Sequence, residues 1–414
     1  MRTLNKTLYN VLCLMIGVCM LSGCIEEFEA DIPVEESDLL VVEGTICSGK
    51  MNKFVLSRSQ PLQKSEEYWL MNGVIDGGWP GMYQGFAPLI YDATVSVRGS
   101  DGSEYKTTST RGNYTCWIDQ LKPDVEYYLH IEVDGEVYES EPQKPLPTEK
   151  IADVQGVQET PESNIDVLIT PDVPFEAERA NYYSWTYDET WEVHPDYTTI
   201  YYYDTVLKAP VKKRGQFPER GWKDAVGAGV TIGGSTSYEG QRIRQLKLYD
   251  LDRGDMRMYY RYSGLVHQRA ISKAEYEYEL ARRQASEEMG GLFTPQPSAL
   301  PTNIRCLTSR KRVIGYVGCS LNTSEYRFFL NAKDFTIYRP RRSDARRWLT
   351  EPTEDQCVQM VYSGFYLCDW QSPMISPSGK IETAWALLFQ LDVRCNGAYI
   401  EEPDFWSLEE NVSY

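Results

Sequence analysis

Tyr127-Tyr128-Leu129-His130-Ile131-Glu132-Val133-Asp134-Gly135-Glu136-Val137-Tyr138 is the stretch on which the fold class turns. Leu129, Ile131 and Val133 alternate with His130 and Glu132, the period of a strand with one buried face. Asp134-Gly135 then breaks the run with residues that tolerate the positive φ angles of a two-residue hairpin turn. The same grammar extends upstream. Leu39-Leu40-Val41-Val42 and Phe54-Val55-Leu56-Ser57-Arg58 are apolar runs, and Thr94-Val95-Ser96-Val97 alternates. Ser100-Asp101-Gly102-Ser103 turns into Glu104-Tyr105-Lys106-Thr107, and Gly112-Asn113-Tyr114 precedes Cys116-Trp117-Ile118. Short strands at regular intervals indicate a sandwich. A Gly- and aromatic-rich stretch at residues 67–89 reads as a long loop, and its part at 67–86 as a second candidate surface. Pro142, Pro145 and Pro147 close the unit, so an immunoglobulin/transthyretin-like β-sandwich is expected over residues 38–147.

From 148 to 406 the text is again rich in strand formers: Val167-Leu168-Ile169, Tyr182 to Tyr187, and Thr199 to Tyr203. One helix stands out near 272–289, opened by the capping pattern Ser272-Lys273-Ala274-Glu275 and stopped by Gly290-Gly291. The expectation is a mainly β protein, its sandwich followed by a larger β-rich domain with one clear α-helix. Residues 340–382 read as elaborated loops and 407–414 as an acidic tail.

The N-terminus has a different logic. Arg2 and Lys6 precede an uncharged apolar stretch that ends at Leu21-Ser22-Gly23-Cys24, with Glu26, Glu27 and Glu29 behind it. Positive start, apolar middle and small-residue end are the parts of a secretory signal over residues 1–23. A membrane-spanning helix needs about 20 apolar residues, more than this stretch supplies. Residues 24–37 form an acidic tether. Cys24 resembles the modified cysteine of the bacterial lipoprotein box, which implies an acylated anchor. The acids behind it resemble the surface-export signal of Bacteroidota lipoproteins, which implies the outer face of the outer membrane.

Removing a signal that carries two cations and no acid takes the net charge from −18 to −20. That surplus excludes nucleic acid, whose phosphates require clustered Lys and Arg. With Cys13, Cys19 and Cys24 set aside, seven thiols remain: Cys47, Cys116, Cys306, Cys319, Cys357, Cys368 and Cys395. An oxidising envelope permits disulfides, and strands flanking Ser309-Arg310-Lys311 favour a Cys306–Cys319 bridge. None of the seven has CxxC spacing and there are three histidines, so no metal and no cofactor is expected.

Catalytic chemistry finds little foothold. A hydrolase needs a nucleophile beside a base. His130 lies in a strand, His194 precedes Pro195, His267 precedes the helix, and Gly233-Gly234-Ser235-Thr236-Ser237 lacks the second glycine of G-x-S-x-G. Asp250-Leu251-Asp252-Arg253-Gly254-Asp255 invites calcium, but Arg261 stands where an EF-hand needs Glu. Tyr183, Trp185 and Tyr187 share one strand face; with Trp191 they are the candidate ligand or partner surface, although core packing is the favoured reading of that face.

The order of landmarks resembles the family of surface lipoproteins known as domain of unknown function 4249. The resembling pieces are Cys24 with its acids, Leu40 to Ile46, Phe54 to Ser59, Ala93 to Val97, Gly112-Asn113-Tyr114 and Tyr183 to Glu192. They continue through the Ser272 helix, Gly291 to Pro297, Asn303 to Arg305, Val313 to Val317, Cys395 and Pro403-Asp404-Phe405-Trp406. The resemblance implies a non-enzymatic accessory to a TonB-dependent transporter. The alternatives are a surface hydrolase of glycan or peptide and an adhesive or structural component.

Overall fold

The structure is a computed structural model that describes residues 38–59, 89–173, 181–195, 201–204, 206–212, 220–227, 229–288, 300–339, 347–350, 353–363, 365–375, 379–389, 401–407 and 412–413. The chain divides into two units, residues 1–40 with 57–88, and residues 41–56 with 89–414. In the first, Ser59 N–H donates to the Leu39 carbonyl (2.9 Å) and Asp38 N–H to the Ser59 carbonyl (3.2 Å). Cys24, the tether and the 67–86 loop lie outside the described residues.

The strands begin with β1 (Leu40–Cys47), β2 (Lys50–Arg58), β3 (Thr94–Gly99) and β4 (Glu104–Lys106). Next are β5 (Thr108–Thr110), β6 (Asn113–Ile118), β7 (Tyr127–Val133) and β8 (Glu136–Ser140). Then come β9 (Ile151–Val157), β10 (Ile165–Pro171), β11 (Tyr182–Val193), β12 (Tyr201–Asp204) and β13 (Ala209–Lys212). They are followed by β14 (Gly221–Val226), β15 (Thr231–Gly234), β16 (Leu246–Leu251), β17 (Arg261–Ile271) and the helix α1 (Lys273–Glu288). The series ends with β18 (Ile304–Cys306), β19 (Val313–Ser320), β20 (Ser324–Asn331), β21 (Arg347–Thr350), α2 (Glu354–Tyr362), β22 (Phe365–Ile375), β23 (Ile381–Phe389) and β24 (Val412–Ser413).

The β7–β8 hairpin has the turn its sequence demands. Asp134 and Gly135 take φ of 53° and 76°, and Val133 pairs with Glu136. Two five-stranded sheets make the sandwich, in the orders β19-β1-β2-β6-β5 and β18-β8-β7-β3-β4. Phe54, Tyr114 and Ile118 from one sheet and Val97, Leu129 and Ile131 from the other are buried. Buried Asn52 closes the β1–β2 turn, accepting from Cys47 N–H (2.7 Å) and donating to the Cys47 carbonyl (2.9 Å).

The contiguous block 38–147 needs correction. Each sheet takes an outer strand from far down the chain, β18 against β8 and β19 against β1. Gly315 of β19, at φ 131°, lies so near the Val42 backbone that a Cβ there would overlap the Val42 carbonyl oxygen. Thr148, just past the three prolines, is bound to Asn322 by three hydrogen bonds of 2.6–3.0 Å. Local alternation carries no information about partners more than a hundred residues away.

The larger β-rich part sets the sheet β14-β11-β17-β20-β24, with β15 also on β11, against the sheet β16-β10-β9. Between them lie Val154, Val167, Ile169, Leu251, Tyr262, Val266 and Phe328. α1 begins as expected, with Glu275 N–H donating to Ser272 Oγ (3.0 Å). Residues 340–382 are not only loops, because they contain β21, α2 and β22. The 407–414 tail supplies β24, which pairs Val412 and Ser413 with Arg327 and Tyr326.

Candidate functional site

Of the two readings of the β11 aromatics, core packing holds and the ligand surface does not. Tyr183 and Trp185 are 0% and 1% exposed, and Tyr187 and Trp191 pack against the same cluster. Trp185 Nε1 donates to Gln268 Oε1 at 2.9 Å, and the Tyr183 hydroxyl donates to Glu149 at 2.8 Å. Tyr187 stacks on Tyr249 with ring centroids 3.9 Å apart. Their shared face was read correctly, and the β16-β10-β9 sheet covers it. Tyr183 and Trp185 are closed to a ligand, and Tyr187 and Trp191 are partly covered.

The opposite face of the same sheet is different. One end is covered by α1, where Tyr276 meets Tyr182 (4.9 Å between centroids) and Glu275 pairs with Arg269 at 2.5 Å. The other end holds buried Trp406, whose ring meets Trp222 and Phe329 edge-on and whose indole N–H donates to Glu192 at 3.3 Å. Between the two ends, His267 of β17 lies between Asp188 of β11 and Glu325 of β20, 3.0 Å from each on opposite ring nitrogens.

His130 repeats the arrangement in the sandwich, with Glu139 at 2.9 Å on Nδ1 and Glu132 at 3.0 Å on Nε2. His194 contacts Glu192 at 2.5 Å and stacks on Tyr260. With a carboxylate against each ring nitrogen, neither His130 nor His267 has a nitrogen turned toward a hydroxyl nucleophile. His130 and His267 are therefore cross-strand ties by geometry.

The acidic turn is also committed internally. Asp250 meets Lys247 (3.1 Å) and Asn164 (2.7 Å), Asp252 accepts from Gly254 N–H, and Asp255 pairs with Arg257. Hydrogen bonds from Asn164 and Lys247 hold the Asp250 carboxyl below its ordinary value. Among the described residues no group of three or more His, Cys, Asp or Glu side chains is arranged to hold a metal.

The Cys306–Cys319 bridge is overturned: both thiols are free, as are Cys47 and Cys116. Cys306 lies half-exposed at the end of β18 with its Sγ beside Thr308 and Ser309, whereas Cys319 is buried in β19. Burial pushes Cys319 up to about 12 and Cys116 to about 11, so neither is a nucleophile at neutral pH. At Cys306 burial raises the pKa, but hydrogen bonds to Ser309 (3.1 Å) and Thr308 (3.4 Å) prevail and lower it.

Among the described residues, open concavities occur at residues 156–158 with 333–336 and on the sandwich. A cavity of about 300 Å³ at the β3–β4–β5 edge is lined by Ser96, Arg98, Glu104, Lys106, Ser109 and Tyr114. Arg98 Nε donates to Glu104 at 3.0 Å, and that bond holds the Glu104 carboxyl below its ordinary value. Around the corner, on the outer side of β6, Trp117 is 56% exposed and its cross-strand partner Met51 is 55% exposed. Sequence gave only its alternation with buried Cys116 and Ile118, which sets the direction of Trp117 once the core side is known.

Residues 25–326 match the domain of unknown function DUF4249. The chain belongs to the DUF4249 family. No curated protein matches it. The DUF4249 region takes in both sheets of the sandwich and reaches Tyr326 in β20. Several landmarks read from sequence fall on its strands: Leu40–Ile46 on β1, Ala93–Val97 on β3, Tyr183–Glu192 on β11 and Val313–Val317 on β19. Trp406 and the β21–β23 sheet lie past the matched region.

Proposed function

We propose that this DUF4249 chain is an exported protein, anchored through acylated Cys24 to the outer membrane surface, that binds a ligand or partner for a TonB-dependent transporter without catalysing a reaction. Leu21-Ser22-Gly23-Cys24 followed by Glu26, Glu27 and Glu29 carries this reading. Each acyl CH₂ buried in lipid contributes about 0.8 kcal/mol, so a cysteine carrying more than one chain anchors stably. Support for a binding role comes from His130 and His267, which are tied to carboxylates on both nitrogens. An accessible cavity and an exposed aromatic on the sandwich point the same way.

The test is metabolic labelling with a palmitate analogue, together with protease treatment of intact cells. The native chain is expected to take label, fractionate with the outer membrane and be digested from outside. Cys24→Ser is expected to lose label and leave the membrane. A native chain that takes no label sinks the anchor, and affinity purification that brings down no outer-membrane receptor sinks the accessory role.

A further inference from the structure

We propose that the outer face of β2, β6 and β5 is a binding surface for an acidic saccharide, a ligand class that rests on the binding role proposed above. Asn113, Thr115 and Trp117 alternate with buried residues along β6 and so share its outward side. Register sets Trp117 against Met51 and Thr115 against Lys53 on β2, and places Thr108 of β5 on the other flank of Thr115. Thr108 and Thr115 hydroxyls are 3.4 Å apart. Same-face side chains along a strand repeat about every 7 Å, so the indole, the hydroxyl pair and the amide form a row as long as a short oligosaccharide.

The chemistry of this row is mixed in the way a sugar is mixed. An indole with a thioether beside it offers an apolar platform to the C–H face of a pyranose, and the hydroxyls and amide beside it suit ring hydroxyls. Charge decides which sugar. The whole chain is −18, yet Lys53 lies within the row, with Lys50 at one end of β2 and Arg111 in the β5–β6 turn. Among the described residues no carboxylate forms an ion pair with any of these three cations. The charge of Glu43 in β1 is felt by Arg282 and Tyr278 of α1, and exposed Asp119 follows Trp117 by two residues at the Lys50 end of the face. Three uncompensated cations on an otherwise acidic protein fit a carboxylate or sulfate carried by the sugar. The cavity at β3–β4–β5 lies on the other side of β5, where Ser109 sits opposite buried Tyr114.

Isothermal titration of the purified full chain with a galacturonic acid hexamer and with a sulfated hexasaccharide tests this, with maltohexaose as the neutral control. One or both acidic probes are expected to bind, to weaken with salt, and to outcompete the neutral hexamer. Trp117→Ala is expected to lower affinity about tenfold, the scale of a central aromatic contact. Lys53→Gln is expected to reduce both affinity and its salt dependence. Both side chains are exposed, so circular dichroism and melting temperature should not move.

The inference is overturned if neither acidic probe binds, if Trp117→Ala binds as the native chain does, or if maltohexaose binds equally well. A chain that still takes acyl label and captures a receptor while binding no saccharide removes this inference alone. Loss of receptor capture in Trp117→Ala, without saccharide binding by the native chain, would assign the face to a protein partner instead.

Discussion

Trp185 and Trp117 carry the same side chain to opposite fates, 1% and 56% exposed. Alternation says which neighbours share a face with each tryptophan; it does not say which face another sheet will cover. That cover comes from β9, β10 and β16, so sequence favours core for the β11 aromatics as a set but cannot name the sheet that covers them. Replacing Trp185 with Ala opens a cavity and strands Gln268, at an expected cost of about 3–5 kcal/mol. Trp117→Ala should stay within about 0.5 kcal/mol of the native chain. Urea denaturation of the two variants checks the contrast, and similar losses would contradict it. A second residue-scale prediction concerns Glu136. Its strongest influence is the Tyr138 hydroxyl, which donates at 2.6 Å; Lys311 and Ser309 add to this, against burial, and its pKa falls from 4.5 to about 2. A depressed carboxyl stabilises the fold above its unfolded value, and this contribution is lost as pH falls through about 2. Glu136→Gln should therefore flatten the decline in urea midpoint between pH 4.5 and 2 relative to the native chain.

Elements were legible where the signal is local. α1 was found because Ser272 and a run of strong helix formers lie together, and Ser272 Oγ does cap Glu275 N–H. The expected reciprocal Glu275 contact is replaced, since that carboxylate turns to Arg269 at 2.5 and 3.1 Å. α2 was missed although Thr353-Glu354-Asp355-Gln356 has the same form. Thr353 Oγ1 accepts from Gln356 N–H (3.3 Å) and Gln356 Oε1 accepts from Thr353 N–H (3.0 Å), a complete capping box. Its nine residues are too few to show helical periodicity against a charged, Trp-containing background. The cap therefore matters more to α2 than to the longer α1. Removing such a cap costs about 1 kcal/mol. Thr353→Ala should speed amide hydrogen exchange over 354–362 without moving the global melting temperature. Ser272→Ala, at a helix start beside β17 and β19, should lower that temperature. The reverse ranking would contradict this account of the caps.

At the scale of the whole molecule, the decisive fact is that the sandwich is not closed by its own stretch of chain. β18 and β19 enter its two sheets from residues 304–320, after the chain has built β9 to β17 and α1. The pairing is specific. Ile304, Arg305 and Cys306 oppose Ser140, Glu139 and Tyr138, and Asn303 donates to and accepts from Val317 at 2.9 Å. Gln143 donates to the Val317 carbonyl at 2.6 Å, so the proline segment once read as a boundary is itself held by β19. A fragment ending near residue 147 would expose the edges of β1 and β8, and exposed edges pair with other chains. Such contacts are also of long sequence separation, which makes them late and slow to form. The fragment 38–147 is accordingly expected to aggregate or remain disordered in solution. The same fragment with residues 300–323 joined through a flexible linker is expected to give dispersed amide resonances and cooperative unfolding. If 38–147 folds cooperatively alone, the two C-terminal strands are only decoration. If neither form folds while the full chain does, closure of the sandwich requires the larger sheet as well.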